Sequence, residues 1–310
     1  MKPKSTFIYL AAAISAAFIW GFFAIPLKHL HHYPPQQILY YRVFTSFVSL
    51  WALNLIFRRA TIRKDIALLK TLPSGERKKV LLLLISTGFF ITANWFTYIY
   101  VVNHIGVKVA AFAYLICPLL TACGGFMILK EPLTRVKFAG LVIAVVSIAL
   151  LSTVSLYQVL WALFVAVFYA IYLVIQRVLN QFDKINMLAF QLMIAILILL
   201  PFYIHDFNDV PTSADFWFNI ILIALVFTLL PLLLSLFALN GIQSSTLGIT
   251  IYINPVISFT VAVFYFNETI ERSHLLGYLL LLIAVMVFNW QVIANLFKKK
   301  INLQPASILF

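Results

Sequence analysis

Charge is what this chain has least of. Charged residues make up 10% of its 310 positions, and acids number only nine against 22 Lys and Arg. A water-soluble chain of this length needs far more charge to cover its surface. Hydrophobic residues at 64% and a mean hydropathy of +1.03 exclude that class. Cysteine is scarce as well, with Cys117 and Cys123 alone. Six residues apart on one predicted helix, their Cα atoms stand ~9 Å from each other, beyond disulfide reach. They read as two small buried apolar residues. No Asp or Glu falls well inside an apolar run, so the chain lacks the membrane carboxylate on which proton-driven export of cationic drugs often relies. There is no His-Glu-x-x-His, no aspartate pair and no histidine in the middle of a run. Those absences argue against an intramembrane enzyme, and no metal or cofactor is expected. His29, His31, His32, His104, His205 and His274 all fall at run ends or in loops.

What the chain does have is long apolar runs separated by short loops, as helices crossing ~30 Å of hydrocarbon require. Ten spans are predicted: about 7–27, 36–57, 80–102, 107–129, 135–153, 156–177, 185–204, 216–239, 244–266 and 273–297. The first is longer than a signal-peptide core and lacks a convincing cleavage site, so it reads as an uncleaved helix. Cations fix the orientation. With both termini cytoplasmic, eighteen Lys and Arg lie inside, eight of them between Arg58 and Lys79, against Lys28, Lys108 and Arg272 outside. No basic face with interleaved exposed aromatics exists, which excludes nucleic acid as a partner. The 58–79 loop is read instead as a topology determinant and a contact for anionic lipid.

The chain also repeats itself. Without a gap, Asn103, Ile105, Ile116, Pro118, Glu131, Arg135 and Gly140 fall on Asn240, Ile242, Ile253, Pro255, Glu268, Arg272 and Gly277. At a second offset Trp20 falls on Tyr169, Lys28 on Arg177 and Arg42 on Gln191. Five spans per half is an odd number, so the second half enters the membrane inverted. The expected organisation is a first five-helix repeat over 1–153, an inverted second over 154–300, and a tail over 301–310. Inverted repeats are the usual construction of secondary transporters, with the substrate site near the midplane where the halves meet.

Trp20-Gly21, Pro26, Lys28, Pro34, Arg42-Val43 and Ser46 carry a resemblance. It continues through Asn94-Trp95, Tyr98, Val102-Asn103, Tyr114, Pro118 and Glu131. In the second half it includes Pro231-Leu232-Leu233, Ser245-Thr246-Leu247-Gly248, Tyr252 and Pro255. In order and spacing these resemble the RarD-type branch of the EamA, drug/metabolite transporter superfamily, from about Phe7 to Phe297. The resemblance implies ten helices, a permease of the bacterial inner membrane and a link to chloramphenicol response. The chain departs from that pattern at Val109, where relatives carry a glutamate, and at Cys117, where they carry asparagine.

Polar groups in hydrocarbon are costly, so each needs a reason. Arg42 lies about two turns inside its span, placed either to hold a carboxylate or phosphate or to snorkel outward. Asn94 and Tyr98 share a helix face beside Trp95 and are candidates to orient a polar substrate, with an interhelical hydrogen bond as the alternative. Tyr114, Trp20, Tyr169, Tyr252 and Asn254 complete the substrate-binding candidates. Pro118 and Pro255, near the middle of matched spans, are the candidate hinges. Asn103 reads as a helix cap. Glu131 with Arg135, and Glu268 with Arg272, read as local ion pairs or caps. The expectation is an all-α permease exporting a small polar metabolite, such as an amino acid, by alternating access. Chloramphenicol-type drug efflux and exchange of phosphorylated metabolites are the alternatives.

Overall fold

Lipid offers no hydrogen bonds, so backbone polar groups in these apolar segments must pair within the segment, and helices result. The computed structural model describes residues 6–130, 133–205, 210–238, 240–242, 247, 250–269, 272–290 and 294. Its helices are α1 (Thr6–Gly21), α2 (Ala24–His29), α3 (Pro35–Phe57), α4 (Arg59–Thr71), α5 (Ser74–Tyr100) and α6 (Val107–Leu129). Then follow α7 (Arg135–Val178), α8 (Lys184–His205), α9 (Ala214–Ala224), α10 (Leu230–Ala238), α11 (Ile253–Thr260) and α12 (Arg272–Phe288). Wider π-helical turns occupy Val101–Ile105, Leu225–Leu229 and Val261–Tyr265. No strand occurs among the described residues. Eight helical runs are long and apolar enough to cross a membrane, and the shorter Ile253–Tyr265 and His274–Phe288 lie where the last two spans were predicted. Large apolar side chains such as Phe57, Val145, Leu197 and Phe264 point outward, as lipid-facing surfaces require. The protein is an all-α membrane protein. Glu131, the beginning of the ninth predicted span and the tail 301–310 lie outside the described residues.

Local chemistry sets the breaks. Pro26 has no N–H and its ring crowds the carbonyl four residues back, so the first span turns at Phe22 and Phe23 before α2. Pro34 and Pro35 start α3, where a missing N–H costs nothing. α7 is two spans meeting at an elbow, Ser155, whose φ of −150° leaves the helical region. Pro118 sits inside continuous α6, whereas Pro255 falls in the first turn of α11, just after a break at Tyr252. The two prolines therefore occupy different local contexts.

Three expectations are corrected. The stretch 58–79 is no loop: Arg59 to Thr71 contains neither Gly nor Pro and forms amphipathic α4, and α5 begins at Ser74. Arg58 pairs with Asp183 at 2.7 Å, and Asp65 accepts from Asn186 Nδ2 at 2.7 Å, docking α4 to the start of α8. Asn103 caps nothing. It lies within a π turn with its amide unpartnered, and Gly106, at φ +147°, ends the helix. Glu268, in the loop before α12, does not pair with Arg272. Its carboxylate accepts the backbone N–H groups of Val107 at 2.7 Å and Lys108 at 3.0 Å, capping the positive end of α6.

The helix starts follow the repeat: Pro35 of α3 corresponds to Lys184 of α8, and Arg135 of α7 to Arg272 of α12. Where α7 meets α12 the contacts are reciprocal. A Cβ on Gly140 would stand 3.0 Å from the carbonyl oxygen of Ala284. The Ser147 hydroxyl donates to the carbonyl of Gly277 at 2.7 Å. Gly140 corresponds to Gly277 and Ser147 to Ala284, so each contact is the image of the other, as a twofold interface demands. Only glycine allows so close a backbone approach.

Candidate functional site

Arg42 is where the outlay of folding is hardest to explain without function. Seven residues into α3, or ~10 Å along its axis, it is only 4% exposed. Its Nε donates to Thr228 Oγ1 at 3.2 Å, and its buried Nη1 has no hydrogen-bond partner. The guanidinium carbon lies 4.9 Å from the centre of the Phe23 ring and 4.7 Å from that of Trp95. These contacts offset part of the desolvation cost, about 2 kcal/mol where a cation–π pair is dry. They do not neutralise the charge. Arg42 makes no ion pair among the described residues, so no carboxylate faces it.

The elements explain the arrangement. The turn before Pro26 aims Phe23 inward, where it stacks on Tyr98 (5.4 Å between centres, 9° between planes) and on Phe227 (5.9 Å). Pro231 lacks an N–H and crowds the carbonyl of Phe227, and the chain widens into the π turn Leu225–Leu229 just upstream. Within that turn Thr228 donates to the carbonyl of Ile223 at 2.9 Å, leaving its oxygen turned to Arg42. Asn94, fully buried on α5, donates to the Val165 carbonyl of α7 at 2.9 Å. That bond ties the two helices together and fixes the rotation that presents Trp95 and Tyr98.

A line of tyrosines leads away from the cation. Tyr98 lies 5.4 Å from Tyr114, Tyr114 5.7 Å from Tyr169, and Tyr169 5.7 Å from Tyr172. Of the sequence candidates, Arg42, Trp95, Tyr98, Tyr114 and Tyr169 therefore come together, with Asn94 as their brace. Trp20 is half-buried at the end of α1 and stacks on no ring among the described residues. Tyr252 and Asn254 lie at the start of α11. There the Ser258 hydroxyl donates to Gly21 O at 3.0 Å and is 3.1 Å from Asn254 Oδ1. They share no hydrogen bond or ring contact with the Arg42 group among the described residues. Lys108, one of the three cations the sequence reading puts outside, has its Nζ on the Thr269 carbonyl at 2.7 Å.

Sequence reading missed Phe23, Phe227 and Thr228. The signal for Thr228 was Pro231 three residues on, but proline announces a disturbance without saying which side chain it will redirect. Phe23 and Phe227 are two of 29 phenylalanines, and nothing local distinguishes them.

An all-helical membrane bundle with a cation and aromatic walls in its interior is the framework of a solute permease. The chain matches the EamA-like transporter family twice, over residues 7–153 and 156–290, and belongs to that family. It is 29% identical to the Protein RarD of Salmonella typhimurium over 96% of this chain and all of that one. It is 27% identical to the Protein RarD of Escherichia coli K12, covering 93% and 96%. It is also 27% identical to the uncharacterized transporter YojE of Bacillus subtilis, covering 93% and 95%. One solved crystal structure shares the fold with a TM-score of 0.60 at 15% identity, covering 92% of this chain and 98% of that one. The protein is thus a multi-pass membrane permease of the drug/metabolite superfamily.

Proposed function

We propose that this permease moves a small carboxylate-bearing metabolite, an amino acid or a related organic acid, out of the cell across the bacterial inner membrane by alternating access. The observation that carries this reading is the Arg42 guanidinium, buried with Nη1 unpaired and no acid beside it. A buried charge left without its partner costs about 3–5 kcal/mol, and a cargo carboxylate accepting two parallel N–H bonds supplies that partner. Phe23, Trp95 and Tyr98 suit an aryl or apolar side group on the same cargo. Phosphorylated metabolites carry two charges and call for more than one buried cation, so a monocarboxylate fits better. A neutral drug of the chloramphenicol type leaves the guanidinium unanswered. The inverted repeat and the reciprocal α7–α12 contact support a rocking of one half against the other.

Proteoliposomes preloaded with unlabelled L-phenylalanine, whose carboxylate and ring match both parts of the site, test the reading. Labelled L-phenylalanine outside should enter saturably and by counterflow, and Arg42→Met should lower that flux at least about 100-fold. Equal flux in the variant, or no flux for L-phenylalanine or any other carboxylate in a metabolite panel, contradicts it.

A further inference from the structure

The brace at Asn94 uses only half of its amide. Its Nδ2 donates to the Val165 carbonyl at 2.9 Å, while its buried Oδ1 has no hydrogen-bond partner among the described residues. A carbonyl can only accept, so the nitrogen must be the atom facing Val165, and the atom left over is an acceptor. A second oxygen stands open on α3. Ser46 is fully buried, and its Oγ has no partner among the described residues either. The buried hydroxyls of Thr92 and Thr121 donate back to the carbonyls four residues earlier, at 2.6 and 2.8 Å. Ser46 does not, so its rotamer holds the oxygen away from its own helix backbone. Both oxygens border the Arg42 group. Ser46 lies four residues beyond Arg42 on one face of α3, and Asn94 four residues before Tyr98 on one face of α5. At about 100° per residue, Tyr98 projects between Trp95, which lies against the guanidinium, and Asn94, which faces α7. In the orientation set by the cation count α3 runs inward and α5 outward. Both steps therefore lead toward the cytoplasm by one turn, ~6 Å.

We propose that Asn94 Oδ1 and Ser46 Oγ form an ammonium subsite beside Arg42, which makes the cargo an α-amino acid rather than a plain organic acid. The carboxylate takes Arg42 Nη1, and the ammonium donates to the two oxygens. An ammonium offers three N–H donors and no acceptor, which is what oxygens lacking a donor require. Hydrogen bonds in which the donor is charged are also the stronger kind. An α-amino acid carries both groups on one carbon, so it spans one helical turn with a hydrogen bond at each end. A second carboxylate on the cargo does not suit the subsite, because Asn94 Oδ1 has no proton to give it.

The ammonium subsite rests on the carboxylate reading, and a pair of ligands separates the two. L-phenylalanine and 3-phenylpropanoate share ring and carboxylate, and only the first has an amine. Their dissociation constants are measured by isothermal titration calorimetry on the purified protein. L-phenylalanine should bind about tenfold more tightly, the worth of a hydrogen bond to a charged group. Asn94→Leu also loses the bond to Val165, which weakens both ligands alike, and it should bring their ratio close to one. Ser46→Ala, which removes a single oxygen, is the second variant should the first not fold, and it should lower the ratio by about threefold. Equal binding of the two ligands to the parent protein, or a ratio unmoved in the folded variants, overturns the subsite and leaves the carboxylate reading standing. Binding of neither ligand removes that reading, and the subsite with it.

Discussion

Arg42 was legible because hydrocarbon penalises charge so heavily that one arginine within a span demands a reason. Its surroundings were not. The residue that holds its Nε, Thr228, lies 186 positions away and reaches it through a π turn that no periodicity reveals. Asn94 was recognised as important on both of the terms available to it, pocket or brace. Its Nδ2 bond to Val165 favours the brace, a choice set by which backbone carbonyl of the neighbouring helix it meets. Thr228→Val keeps the shape of that side chain and removes the acceptor, leaving another guanidinium N–H unpaired. The expected result is a rise of about fivefold in the half-saturation concentration for L-phenylalanine, equivalent to about 1 kcal/mol, with expression unchanged. An unchanged value measured in proteoliposomes contradicts a positioning role for Thr228.

At the scale of elements, the spans were legible because lipid forces apolar runs into helices, and the boundaries of α3, α6, α7 and α8 fall close to the hydropathy limits. Short-range chemistry was harder to read. α4 was hidden because its cations read as a loop, although Ile62, Ile66 and Leu69 recur at helical spacing. Glu268 read as a local cap, yet it serves α6 from about 160 residues away. Gly106 permits this, because a Cβ there would stand 3.1 Å from Glu268 Oε2. Glu268→Gln removes the negative charge and sets an amide N–H against one of the helix donors. It should cost about 1 kcal/mol and lower the midpoint of thermal unfolding in detergent by a few degrees. A midpoint at or above that of the parent protein contradicts the cap.

For the whole molecule, the duplicated pattern around Pro118 and Pro255 led to the expectation of an inverted repeat, and the reciprocal Gly140 and Gly277 contacts give the duplication a physical seam. Symmetry was easier to read than its failure. Pro118 and Pro255 align in sequence, yet one lies in an unbroken helix and the other follows a break, because the residues before them differ. Likewise Arg42 and Gln191 align, but one is a cation without an acid and the other an amide within a hydrogen-bonded cluster. That cation awaits an anion. The most direct test is a thermal-shift titration of the purified protein with three probes of similar ring size: benzoate, L-phenylalanine and phenethylamine. Ligands that bind the folded state raise its apparent stability by mass action. Benzoate and L-phenylalanine should raise the unfolding midpoint, phenethylamine should not, and Arg42→Met should abolish both shifts. Stabilisation by phenethylamine alone, or carboxylate shifts that survive Arg42→Met, would contradict an anion site at Arg42.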